Sequence, residues 1–189
     1  MTRRFLSPAL TAAALVAAFA SAPAAATDYV QAPGSSLVFA TSYDGEVFTG
    51  QFGGFDTRLR FDPEDLASAR LDVTIELAGT RTGNADRDMT LATADFFDIA
   101  RFAKARYTAT AFRALGEGRY AADGTLELRG VKKPVTLEFT WTPGNRPVLA
   151  GRATVKRLDF GVGTGDWADT SLIPNEVAIS TRVILQPAP

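Results

Sequence analysis

The sequence predicts an all-β fold, built as one antiparallel sheet in a single domain. Apolar and polar residues alternate with a period of two in segment after segment, as in Leu71-Asp72-Val73-Thr74-Ile75-Glu76-Leu77 and Val135-Thr136-Leu137-Glu138-Phe139-Thr140-Trp141. Such alternation marks strands with one dry face and one wet face. A parallel sheet, covered on both sides, would read as continuous apolar runs. The alternating segments are also short and punctuated by turn chemistry, with Asp44-Gly45 the strongest hairpin signal.

Nine strand segments follow in order: Ser36–Tyr43, Glu46–Phe52, Thr57–Phe61, Ala69–Leu77, Arg106–Leu115, Arg119–Arg129, Val135–Trp141, Leu149–Phe160 and Val177–Leu185. Gly116-Glu117-Gly118 and Pro143-Gly144-Asn145 separate neighbours, and Asp123-Gly124 is a turn signal that would split the sixth segment. Helix is minor. Asp62-Pro63-Glu64-Asp65 reads as an N-cap with Pro at the first helical position, and a second short helix starts near Asn84 and runs to about Ala92. Many short strands in one domain make either a sandwich or a closed barrel, and periodicity does not choose between them.

Composition excludes several kinds of function. The 189 residues carry a net charge of −1, so no basic surface for nucleic acid is expected. The chain contains no Cys and no His. That removes disulfides, thiolate nucleophiles and zinc–thiolate sites, and with them Ser-His-Asp, Cys-His and HExxH chemistry.

The first 26 residues read as an export leader. Arg3 and Arg4 form a positive start, Ala9–Ala20 is a short apolar run, and Ala24-Ala25-Ala26 supplies a small-residue cleavage pattern before Thr27. The apolar run is too short to span a bilayer, which needs about 20 residues. The expectation is therefore a signal peptide over residues 1–26, a single domain over residues 27–189, and a periplasmic protein.

Candidate chemistry is sparse. Gly161-Val162-Gly163-Thr164-Gly165 is followed by Asp166-Trp167, with neither the helix of a dinucleotide fingerprint nor a P-loop ending, and reads as a loop after a strand. Asp86, Asp88, Asp95 and Asp98 lack EF-hand spacing and suit a short helix that needs acids at its start. No catalytic residue and no metal ligand is assigned. Arg129, Lys132 and Lys133 form a small basic patch at a hairpin end, either solvated or able to hold an anionic head group. The aromatics, among them Phe39, Phe48, Phe52, Phe55, Phe61, Phe112 and Phe160, fit either a plain core or the lining of an apolar cavity.

Five motifs, in order, resemble one family. They are Phe48-Thr49-Gly50-Gln51-Phe52-Gly53-Gly54-Phe55; Phe61-Asp62-Pro63 before the Leu71–Leu77 strand; Thr82-Gly83-Asn84 with Arg87-Asp88, Leu91 and Asp95-Phe96-Phe97-Asp98; Gly124-Thr125-Leu126 with Arg129-Gly130-Val131-Lys132-Lys133-Pro134-Val135; and Arg157-Leu158-Asp159-Phe160-Gly161 with Trp167 beyond. The chain resembles the YceI-like family of secreted lipid-binding proteins over residues 28–186. The resemblance implies an extended, lipocalin-like, eight-stranded antiparallel β-barrel with one or two short helices. It also implies a polyisoprenoid, quinone or other long-chain lipid as ligand, no catalytic residues, and frequent homodimers. Two positions depart from the family pattern: Thr90 stands where a His is usual before Leu91, and Ala103 where a Pro is usual after Phe102.

Combining strand parity with motif position, the expected cavity lining is Leu71, Val73, Ile75, Phe96, Phe97, Leu137, Phe139, Trp141 and Trp167. Arg87, Thr90 and Lys132 are the head-group candidates. The Asn84–Asp98 segment is the expected lid. The expected function is non-enzymatic carriage of a prenyl quinone, polyprenyl phosphate or similar amphiphile, with transient contact with membranes or membrane proteins. A filled barrel acting through its outer surface in stress or interaction is the alternative. A histidine-free hydrolase using two carboxylates is the third reading.

Overall fold

A computed structural model describes residues 26–189. The leader expected over residues 1–26 lies outside them, apart from Ala26. Ten strands and one helix follow in order: β1 Thr27–Gln31, β2 Ser36–Tyr43, β3 Glu46–Gln51, β4 Gly54–Phe61, β5 Arg70–Glu76, α1 Ala85–Ala92, β6 Lys104–Gly116, β7 Arg119–Leu128, β8 Val131–Thr142, β9 Val148–Lys156 and β10 Glu176–Pro187. All neighbours are antiparallel, and β1 pairs with both β4 and β10, which closes the sheet.

The ten strands make eight staves. β1 and β2 lie end to end along one edge of β10, pairing with residues 185–187 and 178–182 respectively. Residues 32–35 interrupt them, stitched down by Ala32 N–H to the Ile184 carbonyl (2.7 Å) and by Ile184 N–H to Ser35 Oγ (2.9 Å). β3 pairs with β2, and β4 pairs with β1, so β3 and β4 form a second broken stave. The result is a closed eight-stranded antiparallel barrel with up-and-down connections, as the family resemblance implies.

The period-two segments are all strands, with revised ends. β1 is additional: five residues before Pro33-Gly34 are too short to show a period. β8 begins at Val131 and runs through Pro134. Pro is tolerated there because β9 pairs only with residues 138–142 of β8, so no partner on that side needs its missing N–H. β9 stops at Lys156, and Arg157–Phe160 forms a 3-10 turn capped by Gly161 in the left-handed region. Asp62–Asp65 is a single tight turn, not the start of a helix, with Asp62 Oδ1 accepting from the Glu64 N–H at 2.9 Å. The helix at Asn84 forms as expected. Asn84 caps it by accepting from the Arg87 N–H at 2.9 Å, and Asp86 and Asp88 lie in its first turn.

Asp123-Gly124 does not split β7, which passes straight through it. A Cβ at Gly124 would stand 2.6 Å from the Tyr107 ring, so glycine here makes room for an inward aromatic side chain. The tight hairpin turns are Asp44-Gly45, Glu117-Gly118 and Arg129-Gly130, each with positive φ at both residues.

Two layers of side chains result. Outside, cross-strand ion pairs such as Lys104–Glu76 (2.8 Å), Arg106–Asp72 and Arg113–Asp123 (3.1 Å) lace the wet face. Inside, one end of the barrel is plugged by aromatics. Phe61 packs on Trp141, Tyr120, Phe139 and Phe112 with ring centroids 5.0, 5.1, 5.6 and 6.1 Å apart, and Tyr29 packs on Trp141 at 5.5 Å. Each such pair contributes about 0.5–1.5 kcal/mol beyond area burial.

Candidate functional site

Above the aromatic plug the barrel interior is not filled. The inward positions there include Ala105 on β6 and Ala153 on β9, too small to meet the opposite wall. They leave a cavity of about 420 Å³, lined from β2, β4, β5, β8 and β10 by residues such as Leu37, Phe55, Val73, Leu137 and Ile179. At about 30 Å³ per water this volume corresponds to on the order of a dozen waters. Buried water needs two to four polar partners, and this wall is almost wholly aliphatic and aromatic. The space suits an apolar chain.

The few polar groups on the wall are mostly committed. The Tyr107 hydroxyl donates toward the carbonyls of Ala122 (2.8 Å) and Val135 (3.1 Å), and burial pushes its pKa well above the usual tyrosine value. Thr181 Oγ1 donates to the Ser36 carbonyl at 2.9 Å. Thr57 is only 1% exposed, and its hydroxyl has no hydrogen-bond partner among the described residues.

One end of the cavity lies under four connections: the β2–β3 hairpin, α1 with the turns after it, the Arg129-Gly130 turn, and the 157–175 loop. Two arginines organise this end through carbonyls. Arg129 Nη1 donates to the carbonyls of Phe96 and Gly161. Arg157, 4% exposed, donates to the carbonyls of Gly163 (2.6 Å), Ile173 (2.8 Å), Trp167 (2.9 Å), Val162 (3.1 Å) and Pro174 (3.1 Å). Burial lowers the Arg157 pKa from the ordinary arginine value. Gly163 is glycine for this reason: a Cβ there would run into the Arg157 guanidinium. Backbone bonds tie the loops together, from Gly163 N–H to the Asp95 carbonyl (2.6 Å) and from Asp44 N–H to the Leu172 carbonyl (3.0 Å).

Nine of the twelve side chains singled out by sequence meet around this one cavity: Leu71, Val73, Ile75, Arg87, Thr90, Phe96, Phe97, Leu137 and Trp167. Arg87 lies with its guanidinium 3.8 Å over the Phe48 ring. Thr90 already donates its hydroxyl to the Asp86 carbonyl one turn back, at 2.9 Å, leaving only lone pairs for a ligand.

Three lie elsewhere. Phe139 and Trp141 share the parity of Leu137 but sit two and four residues nearer the plugged end, where they fill the barrel. Lys132 lies opposite Glu127 on the outer surface and pairs with it at 3.4 Å. Sequence reasoning left Phe39, Phe48 and Phe52 open between plain core and cavity lining, and did not single out Tyr107 or Arg157; all five line the cavity. The alternation Ala105-Arg106-Tyr107-Thr108-Ala109 carried the signal for Tyr107.

The acids flagged earlier have local duties. Asp88 accepts from the Thr82 hydroxyl (2.7 Å) and N–H (2.8 Å), and the hydroxyl bond is the main cause holding its pKa below the usual carboxylate value. Asp98 is buried and pairs with Arg101 at 3.5 Å. No group of three or more potential metal ligands occurs among the described residues. No helix among them is long and apolar enough to cross a membrane.

Comparison with known proteins matches residues 29–185 to the YceI-like domain. A UPF0312 protein of Pseudomonas savastanoi pv. phaseolicola is 31% identical over 178 residues, covering 87% of this chain and 93% of that protein. One from Shewanella baltica is 30% identical over 174 residues, covering 86% and 88%. Among solved structures, Burkholderia cenocepacia BcnA superposes with a TM-score of 0.76 at 28% identity, covering 79% of this chain and 95% of BcnA. A polyisoprenoid binding domain from Saccharophagus degradans, implicated in plant cell wall breakdown, superposes with a TM-score of 0.67 at 18% identity, covering 86% and 99%.

Proposed function

Because the chain belongs to the YceI-like family, we propose that it is a non-enzymatic carrier enclosing one long-chain amphiphile in its barrel. The ligand class is an isoprenoid, such as a prenyl quinone or polyprenyl phosphate, or a similar lipid. The observation that carries this reading is the apolar-walled cavity of about 420 Å³ above the aromatic plug. Its size falls in the range of roughly 300–1,000 Å³ usual for small-molecule sites. Its wall rewards apolar contact at about 25 cal/mol per Å² buried, against which the ordering of a flexible tail must be set. The polyisoprenoid-binding description of the Saccharophagus degradans neighbour supports the same class.

In this reading the tail runs down toward the plug and the polar head stays near Arg87 and Thr90 at the opening. The segment from α1 to Asp98 acts as the lid, with Phe97 as its inner face. The protein works in the periplasm after its leader is removed. The alternative of a filled barrel acting only through its outer surface has the cavity against it.

Trp167 lines the cavity and Trp141 lies in the plug, so the chain's two tryptophans report on different ends. In a Trp141→Phe variant, titration with a long-chain prenyl alcohol should change Trp167 fluorescence saturably at one ligand per chain. A signal that does not move, from folded protein, counts against the carrier reading.

A further inference from the structure

The large hydrophobic side chains that stand exposed among the described residues are Tyr43, Val47, Met89 and Leu172, with Val47 78% and Met89 65% exposed. All four belong to the connections at the cavity's open end: the β2–β3 hairpin, α1 and the loop before β10. The Asp44–Leu172 backbone bond brings hairpin and loop together, and the Arg87–Phe48 stack brings α1 against β3. Tyr43 is both 44% exposed and part of the cavity wall, so apolar surface runs from solvent into the interior. The turns at the plugged end, residues 116–118 and 143–146, carry no such side chain.

The same connections carry exposed charges of both signs, Asp44, Glu46, Asp86, Asp166 and Asp169 as well as Arg81 and Lys133.

We propose that this crown of apolar tips docks on the surface of a lipid bilayer. Docking brings the cavity mouth against the acyl region, and the inference rests on the carrier reading above. A lipid leaving a bilayer through water is slowed about fourfold for each methylene it exposes. A docked mouth removes that penalty, because the chain passes from bilayer to Tyr43 to cavity without crossing water. Exposed apolar side chains grouped around an opening mark an interaction surface.

Flotation of the full chain with vesicles tests this. The protein should float with phosphatidylcholine vesicles. Val47→Asp and, separately, Val47→Lys should each reduce flotation on phosphatidylcholine roughly tenfold or more. Val47 lies outside the lid and does not line the cavity, so the Trp167 titration with prenyl alcohol should be unchanged in either variant. Loss of flotation with an intact titration supports docking. No flotation of the wild type, or equal flotation of wild type and either variant, overturns docking while the titration still stands for or against the carrier. Sedimentation showing a dimer that the same substitutions dissociate, without vesicle binding, would assign the crown to a second copy and overturn the proposal.

Discussion

The Arg87 guanidinium lies 3.8 Å above the centre of the Phe48 ring and joins α1 to β3 across the barrel opening. At that place the wall is incomplete. β3 pairs with β2 on one side, and on the other makes a single bridge, Gln51 to Arg81, before Gly83 turns the chain into the helix. The stack closes a seam that no backbone ladder closes. A cation–π contact of this kind contributes about 0.5–1 kcal/mol at a partly exposed site. Arg87→Ala should therefore raise the ligand dissociation rate by roughly two- to fivefold, with Arg87→Lys intermediate. Stopped-flow transfer of a fluorescent prenyl lipid to acceptor vesicles measures it.

The unfilled interior makes a second prediction. Ala153 faces the cavity from β9. Ala153→Phe adds apolar volume to empty space, so the protein should become more stable by about 0.5–2 kcal/mol, the usual gain from filling a cavity. The same variant should accept shorter chains only. Thermal unfolding and a chain-length series of prenyl alcohols report the two effects.

Depth in the barrel separates two phenylalanines that the sequence reading placed in one cavity lining. Phe97 belongs to the lid and Phe139 to the plug. Phe97→Ala should weaken lipid retention while the protein stays folded. Phe139→Ala should cost about 3–5 kcal/mol of stability, as large-to-small changes in packed cores do. Urea unfolding together with lipid retention on a desalting column distinguishes them.

Arg157 holds five carbonyls from the loop that forms part of the mouth. Arg157→Met keeps the stem and leaves those acceptors without their donor. At about 1–3 kcal/mol for each buried group left unsatisfied, the loss should be among the largest of any single substitution. Lysine has three donors on one nitrogen, against the five of the arginine fork, and should restore only part. Hydrogen exchange across residues 157–175, together with global unfolding, measures both variants.

Asp88 makes the lid pH-sensitive. Its pKa is held below the ordinary 3.8, chiefly by the Thr82 hydroxyl, with Arg81 and Arg87 adding attraction. A depressed carboxylate stabilises the fold above its unfolded value, and that contribution is lost as pH falls through the folded value. The Thr82–Asp88 anchor should therefore release in acid, and lipid exchange should quicken below pH 3.8. Asp88→Asn, which cannot titrate, should flatten that part of the exchange profile.

The sheet and much of the cavity wall are readable in the chain because period two encodes inward against outward. Leu71, Val73, Ile75 and Leu137 fall where alternation puts them. Alternation does not encode depth, which is set by the register of closure. Phe139 and Trp141 therefore have the right parity and the wrong level. Asp123-Gly124 has the composition of a hairpin turn, but its glycine seats the Tyr107 ring, a contact made across strands and invisible locally. Arg157 falls within the strand segment Leu149–Phe160 expected from sequence, and a charged residue there reads as solvent-facing. Only the folded loop supplies the five carbonyls that make its burial possible. Lys132 has its partner, Glu127, directly across the hairpin.

The most direct test of the account is native mass spectrometry of the protein purified from a periplasmic fraction, followed by solvent extraction of whatever it carries. The account predicts one discrete added mass per chain, extracting as a prenyl quinone, prenyl phosphate or comparable long-chain amphiphile. A folded protein that shows only its own mass, and still does so after incubation with long-chain isoprenoids, would contradict it.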